Sequence, residues 1–270
     1  MWLATPKRGR VAPTRTLKTR AGRSRGVVLA GWSRIAPLIT VVYVALREEP
    51  VAMSMDNEAR KRGDHKLADP LGQATSGRLV VRPDAVHLTV RGDPTMADLY
   101  QASFESPAPS VRVHGGTVTL RYPRIAYLTD LRALLRPRPT GQVTLNGSIP
   151  WHIWVRGGTT HTSFDLSGLT LYALALGGGA SHVALNLPTP AGTVPVRVAG
   201  GVRDLTVLRP AGMAARVRIG RAARRLTLDE QYFGAIGGST RWQSTGYDQT
   251  TDRYDIAVSG GADTMTILTR

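Results

Sequence analysis

The sequence contains no cysteine, and this absence removes several classes of protein at once. Without cysteine there is no disulfide framework, no thiol nucleophile and no thiolate metal site. A Walker phosphate loop is also excluded, because no Gly-Lys pair occurs in the 270 residues. The chain has no His-Glu-x-x-His helix and no EF-hand loop either. We therefore predict a protein that is not an enzyme, with no catalytic, cofactor-binding or metal-ligating residues and no cofactor.

Helical patterns are scarce as well. The main candidate is "YLTDLRALL" at residues 127–135, which fits either an amphipathic helix or an irregular excursion from the repeats. Glycine and proline are abundant instead, with 29 and 17 residues, and both favour turns between short strands. This composition points to an all-β protein.

Paired glycines recur along the chain at nearly constant intervals. The second glycines and their degenerate equivalent Ala222 stand at 116, 158, 179, 201, 222, 238 and 261. From position 158 the steps are 21, 22, 21, 16 and 23 residues, and the first gap of 42 is two such units. Apolar residues flank each pair at every second position, as in Val196 and Val198 before one pair and Leu205 and Val207 after it. Alternation at period two predicts a half-buried strand on each side.

Each unit therefore reads as strand, glycine corner, strand and turn. Units of this length are typical of a parallel β-helix, in which each coil stacks on the last. We predict a single-domain β-solenoid over residues 78–270 with coils of about 21 residues. One expected consequence is that Leu185, Val207 and Leu228 stack as one inward column, one coil apart. The triple glycine 177–179 is then interpreted as a corner, since its spacing fits neither a dinucleotide fingerprint nor a nucleophile elbow.

The two ends of the chain differ in charge. Residues 1–52 carry ten Lys/Arg and two Glu, half of the net charge of +16. The apolar stretch 27–46 within them is interrupted by Arg34 and Pro37. Three interpretations stay open: an export signal or membrane anchor, a disordered basic arm for nucleic acid or anionic lipid, or a segment upstream of a true start at Met53 or Met55. We favour the last and predict a cytoplasmic protein, with membrane anchoring or export through 27–46 as the alternative.

Residues 53–77 are polar and without period, so we predict a linker there. Beyond it, three groups of side chains are candidate sites. The first is the acidic group Asp248, Asp252 and Asp255, which also encloses Arg253 and is most simply a solvated loop.

The second candidate is aromatic. Trp151, His152 and Trp154 lie in "IPWHIWVRGG", and Trp242 lies further on. The alternation turns His152 and Trp154 outward, where a tryptophan can stack on a sugar or a partner protein. We favour the alternative that the insertion at 123–150 covers these rings.

The third candidate is a polar column. His161, His182 and Asp204 each stand three residues after a glycine pair, and Arg225 would follow them. Stacked coils would bring such side chains within about 5 Å of each other, a spacing that would allow a zinc site with an open position. Arg225 beside them opposes a metal, so we interpret His182 and Asp204 as a solvated cross-strand pair.

The repeat style resembles that of a bacterial family of uncharacterised proteins described as candidate adhesins, which have a repetitive β-solenoid. The resemblance rests on segments 147–188, 192–207 and 252–267 and extends over about 76–270. It implies no enzyme, cofactor or known ligand. We therefore predict a non-catalytic scaffold with a structural or protein-interaction role, and protein partners or self-association. The alternatives are a carbohydrate-binding or carbohydrate-active β-helix and a membrane-tethered surface protein. Nucleic acid or anionic membrane would be contacted only through residues 1–52.

Overall fold

A computed structural model describes residues 65–82, 87–106, 108–122 and 140–270. These residues all belong to the second of the two units into which the chain divides, residues 56–270. The basic segment 1–52, its apolar stretch and the candidate helix at 127–135 lie outside the described residues, so the predictions made for them stand as predictions.

The described residues form strands joined by turns and contain no α-helix, which confirms the predicted all-β fold. One 3₁₀ helix spans Tyr247–Gln249. The strands, numbered in chain order, are β1 (His65–Pro70), β2 (Gly77–Arg82), β3 (His87–Asp93), β4 (Asp98–Phe104), β5 (Ser110–His114), β6 (Thr117–Arg121), β7 (Thr140–Asn146), β8 (Pro150–Val155), β9 (Thr159–Asp165), β10 (Thr170–Leu176), β11 (Ala180–Asn186), β12 (Thr193–Val198), β13 (Val202–Arg209), β14 (Ala214–Ile219), β15 (Ala223–Leu228), β16 (Gln231–Ile236), β17 (Thr240–Gln243), β18 (Arg253–Val258) and β19 (Ala262–Thr269).

The strands make two sheets. Sheet A has ten strands in the order β1-β4-β7-β3-β9-β11-β13-β19-β15-β16, and sheet B has nine in the order β17-β14-β18-β12-β10-β8-β2-β6-β5. The central strands of each sheet pair in parallel, from β7 to β15 in sheet A and from β6 to β14 in sheet B. Antiparallel strands flank them at both ends. The sheets are therefore mixed, whereas the repeats alone predicted parallel pairing throughout.

A strand of sheet B leads through a short corner into the next strand of sheet A, and we call such a pair a rung. In the middle of the sheets Ile153 pairs with Leu174, and Leu174 pairs with Val196, so partners are 21 and 22 positions apart in the chain. The core lies between the two sheets and is built by the inward residues of each rung. The alternation seen in the sequence determines which side chains enter the core. Leu185 is 1% exposed, for example, while its neighbour Ala184 is exposed.

The order of rungs in space departs from chain order at the C-terminal end. The last rung, β18 and β19, lies between β12/β13 and β14/β15. Leu185 and Val207 are neighbours as predicted, but Ile267 stands between Val207 and Leu228. The prediction that Leu228 comes one coil after Val207 was wrong, because the chain reverses in β16 and β17 and returns into the gap.

At the N-terminal end, too, a rung is inserted between two others. The first rung, β2 and β3, lies between β6/β7 and β8/β9. Strands β4 and β5 then run antiparallel beside β7 and β6, and β1 pairs with β4. Strand β1 falls within residues 53–77, so part of the segment interpreted as a linker is an edge strand.

Most glycine pairs lie at corners, where backbones of successive rungs approach closely. A Cβ added to Gly200 would lie 2.6 Å from the backbone nitrogen of Gly179. Real Cβ atoms do not come this close, so only glycine allows the corners to stack. Two pairs differ. Gly115 and Gly116 form the turn between antiparallel β5 and β6, and the pair at 237–238 joins β16 to β17.

Candidate functional site

The outer face of sheet B carries an exposed group of ring side chains, which we call the aromatic patch: His152, Trp154, Arg156 and Tyr172. Trp154 is 42% exposed and Tyr172 is 46% exposed. Large exposed rings are the side chains that most often anchor partner proteins or stack on sugars. The patch is therefore the strongest candidate for a binding surface in the described part of the chain.

Strand alternation positions the patch. Trp151 points inward, packs its ring over the backbone of Gly77 and donates from Nε1 to the carbonyl of Asn146 at 2.6 Å. His152 and Trp154 then project outward, as predicted. Trp151 is thus buried inside the core, and no covering insertion is needed to hide its ring. Residues 123–139 of that predicted cover lie outside the described residues.

Contacts within the patch hold the rings in place. The Arg156 guanidinium lies over the Trp154 ring, 4.2 Å from the ring centroid, a cation–π contact. His152 and Tyr172 meet edge to face, with centroids 5.4 Å apart. On the neighbouring strands the register partners of Trp154 are Val80 and Ala175. Ala175 is partly exposed and its short side chain leaves space on that side of the tryptophan, whereas Val80 on the other side is buried.

Sequence reasoning missed Tyr172 as part of this patch. The register between β8 and β10 shifts between Leu171 and Ala173, and this bulge leaves Tyr172 unpaired with β8. A signal was present: in "TLYALAL" the apolar alternation slips, since Leu171 and Leu174 are three positions apart while both are buried. Bulges commonly re-aim a side chain at a functional surface.

The same face becomes ionic toward the C-terminal rungs. Asp255 is largely buried and accepts hydrogen bonds from Arg197 at 2.6 Å and Arg218 at 2.7 Å. Asp248 instead pairs with Arg216, and Asp252 accepts from the backbone amide of Gly192. The three acidic residues of the first candidate group therefore have separate partners and do not converge on one ion.

The predicted polar column does form, near the N-terminal ends of the central strands β9, β11 and β13 of sheet A. The rings of His161 and His182 stack with centroids 4.7 Å apart, and His182 Nδ1 lies 2.8 Å from Asp204 Oδ2. Each of these residues has a positive φ, at the position where the strand register skips. The next member is Thr264, and Arg225 follows it, donating to the Thr264 hydroxyl. Arg225 is thus not adjacent to Asp204, because the last rung is inserted between them.

This column is poorly suited to a metal. Stacked imidazoles present their ring faces to each other, whereas metal coordination needs the ring nitrogens to converge. Across the described ranges, no group of three His, Cys, Asp or Glu side chains has the arrangement of a metal site. The His182–Asp204 contact is a half-exposed cross-strand pair.

Beside the column runs a shallow groove of about 640 Å³ that crosses five rungs. Its floor consists of corner residues that include Gly179, Gly201 and Gly261, and its rim includes Arg203 and Asp263. It holds no aromatic side chain.

The shifted acid–base groups have structural causes. The hydroxyl and amide of Thr95 lower the pKa of Asp93, and the Ser167 hydroxyl lowers that of Asp165. Burial raises the pKa of Tyr100 and of Tyr254. None of these four residues lies in the aromatic patch or the groove.

The family comparison matches residues 60–208 to the family described as the N-terminal domain of toast_rack, DUF2154. This match covers more than half of the chain. The chain belongs to this family. The matched residues include the aromatic patch, whereas β14 to β19 lie beyond the toast_rack match.

Two solved structures resemble this chain. A candidate cell adhesion protein from Clostridium sporogenes superposes with a TM-score of 0.59 and 16% identity, over 77% of this chain and 100% of its own. A candidate adhesin from Bacteroides fragilis has a TM-score of 0.29 and 11% identity, over 78% of this chain and 98% of its own. The first likeness shows the fold, and the second carries no argument. No curated protein matches the sequence significantly.

Among the residues that the structure describes, no helix is long and apolar enough to span a membrane.

Proposed function

We propose that the chain is a non-catalytic β-solenoid scaffold, with coils of about 21 residues, that binds a protein partner at a cell surface through the aromatic patch. The exposed aromatic patch carries this proposal. It combines two half-exposed rings, a guanidinium stacked on one of them and the small, partly exposed Ala175 beside Trp154. The Clostridium sporogenes structure supports a surface role, since its protein is named for cell adhesion.

The rigidity of the support favours binding by the patch. Trp154 and His152 stand on a central strand with hydrogen-bonded neighbours on both sides, β10 and β2. A ring held on such a sheet loses little conformational freedom when a partner covers it. Trp154 and Tyr172 could therefore serve as anchors at low entropic cost.

Carbohydrate binding is the alternative, and the same patch favours it. Tryptophan and tyrosine rings present flat apolar faces on which a sugar can stack. The two proposals differ in the chemistry of the partner and not in the residues used, so one experiment can separate them.

A surface role would require export, for which residues 27–46 are the candidate segment. From the sequence we predict a cytoplasmic protein, and its partner would then lie inside the cell. The intact mass of the mature protein distinguishes the two, because export processing or a start at Met53 or Met55 would each shorten the chain by a defined amount.

The test measures retention of the labelled full chain on intact bacterial cells. The cells are untreated, treated with protease or oxidised with periodate. We expect the double variant Trp154→Ala/Tyr172→Ala to lose about tenfold or more in affinity, whereas His114→Ala, which removes an exposed ring on the edge strand β5 of the same sheet, keeps it. Loss of binding after protease treatment supports a protein partner.

Other outcomes decide against the proposal. Binding that survives protease but is lost after periodate favours the carbohydrate alternative. Equal retention of the wild-type chain and the double variant would show that the aromatic patch does not take part in binding. No retention of the wild-type chain on any cell surface contradicts the adhesin-like role.

A further inference from the structure

The described fold ends in four edge strands, and one of them is unprotected. Proteins usually guard edge strands with charged side chains or proline, because unpaired N–H and C=O groups would otherwise pair with another chain. Strand β1 carries Lys66, Asp69 and Pro70, β5 carries Arg112, and β17 carries Arg241. Strand β16, "QYFGAI", has no charge and no proline.

The side chains of β16 are also unusually apolar for their exposure. Tyr232 is 67% exposed, more than any other large apolar side chain in the described residues. Phe233, Ile236 and Trp242 pack against the core yet remain partly exposed. On the adjacent strand Leu226, the register partner of Phe233, is fully buried. The C-terminal end of the core is thus only half covered.

At the C-terminal end the two sheets end at the same level. One antiparallel strand follows the last parallel strand in each sheet, β16 after β15 and β17 after β14. The opposite end is stepped, since β4 and β1 follow β7 in sheet A and only β5 follows β6 in sheet B. Among the described strands, only those of the C-terminal end present two edges at the same level.

We propose that a second copy of this chain docks on this end, with β16 pairing antiparallel with β16 of the partner. A two-fold axis normal to the sheets reverses strand direction and keeps each sheet in its own plane. The same axis therefore brings β17 beside its own counterpart. Both sheets become continuous, and the half-exposed layer of Phe233, Ile236 and Trp242 is buried against its copy.

A second copy fits this end better than a single extended peptide does. One added strand would pair with β16 alone and leave β17 and the apolar layer exposed to water. The absence of charge on β16 also matters, because identical charges would repel across a two-fold axis. The one charged residue of β17, Arg241, is exposed on the outer face of sheet B, away from the apolar layer. The β16 seam is self-complementary in backbone and in side chains, as a two-fold interface requires.

The difference between the two ends fixes the stoichiometry. Open stacking would require both ends to accept a neighbour, and it would give filaments. The N-terminal end is stepped and its strands carry Lys66, Pro70 and Arg112. We therefore infer a closed dimer. This inference is independent of the partner-binding role, since the aromatic patch lies on the face of sheet B.

The experiment measures mass by sedimentation velocity and light scattering on the full chain over a range of concentrations. We expect a dimer that does not grow further. Tyr232→Lys adds a charge at the edge without touching the core and should weaken the dimer by about tenfold or more. Leu67→Lys, the matched change on β1 at the other end, should leave it unchanged, as should Trp154→Ala/Tyr172→Ala.

The lack of cysteine permits a second measurement. Tyr232→Cys has a single thiol, and a short thiol-reactive cross-linker should join two such chains, whereas Leu67→Cys chains should stay single. A wild-type monomer at all concentrations would overturn the proposal. So would concentration-dependent filaments, or a dimer that Leu67→Lys disrupts and Tyr232→Lys does not.

Discussion

The middle and the ends of this molecule follow different rules of assembly. From β8 to β13 each rung packs on the rung before it in the chain, and partners are 20 to 22 positions apart. At both ends a terminal rung is inserted between two others, and antiparallel strands complete the sheets. Repetition thus sets the register of the strands, whereas the order of the outer rungs depends on where the chain reverses.

An ion pair also joins the rungs on either side of the inserted C-terminal rung. Arg209 at the end of β13 reaches Asp229 after β15, with two hydrogen bonds of 2.6 and 2.7 Å. Strand β19 lies between those two strands. The ion pair therefore brackets the last rung.

Removal of the last rung should have the largest effect. Deletion of residues 251–270 takes β18 and β19 from the interior of both sheets and leaves β14 and β15 without their parallel neighbours. We expect no cooperative thermal unfolding transition, measured by circular dichroism. A shortened chain that keeps a sharp transition would show that β14 and β15 can close onto β12 and β13 directly.

A charge in the middle of the core should come next. Leu185→Asp buries a carboxylate in a layer that is 1% exposed, which should cost several kcal/mol, on the order of the stability of a whole domain. Ala184→Asp, one position away on the exposed face, should cost little. Urea denaturation of both variants measures the difference, and equal stabilities would contradict the register of β11.

Breaking the bracket around the last rung should cost about 3 kcal/mol, because Asp229→Asn leaves the Arg209 guanidinium buried without its counter-charge. The figure is at the low end for a buried pair, since Asp229 is partly exposed. Asp204→Asn is the control: its partner is the half-exposed His182, and the residue it replaces also has a positive φ. Its cost should stay below about 1 kcal/mol. Equal losses of stability in the two variants would show that the Arg209–Asp229 pair does not hold the last rung in place.

Alanine substitutions at two corners should show a smaller difference between the middle rungs and the C-terminal end. Gly200→Ala places a Cβ against the backbone of Gly179 and should cost about 1–3 kcal/mol. Gly237→Ala, in the corner of the reversed strands, meets no atom within 4 Å. It should be neutral or slightly stabilising. If Gly200→Ala is also neutral in urea denaturation, the corners do not stack as closely as described.

The smallest effect is expected from the N-terminal extension. A chain that begins at Met55 should stay soluble and keep the thermal transition of the full chain, because the predicted repeats begin well after it. Scanning calorimetry of both chains measures this. A lower transition temperature in the shorter chain would show that the removed residues stabilise the first rungs, as a cap would.

Much of the candidate site was accessible from the sequence. The alternation around Trp154 predicted its outward orientation, and the spacing of His161, His182 and Asp204 predicted their column. Tyr172 was not found, because a bulge moves a side chain without changing the composition of its strand. Arg156 was not found either, since a guanidinium over a ring depends on the path of the chain after the strand.

The sequence by itself determined the all-β class, the inward and outward faces of the strands and the register of the middle rungs. These features follow from local alternation and from glycine spacing, which act over one rung at a time. Only the tertiary structure decided the order of the outer rungs. Every rung offers the next a similar apolar layer, so pairing of β18 with β12 and β14 has no local signature except the irregular steps of 16 and 23 residues. That choice is made by closing both ends of the core and by long-range contacts such as the Arg209–Asp229 pair.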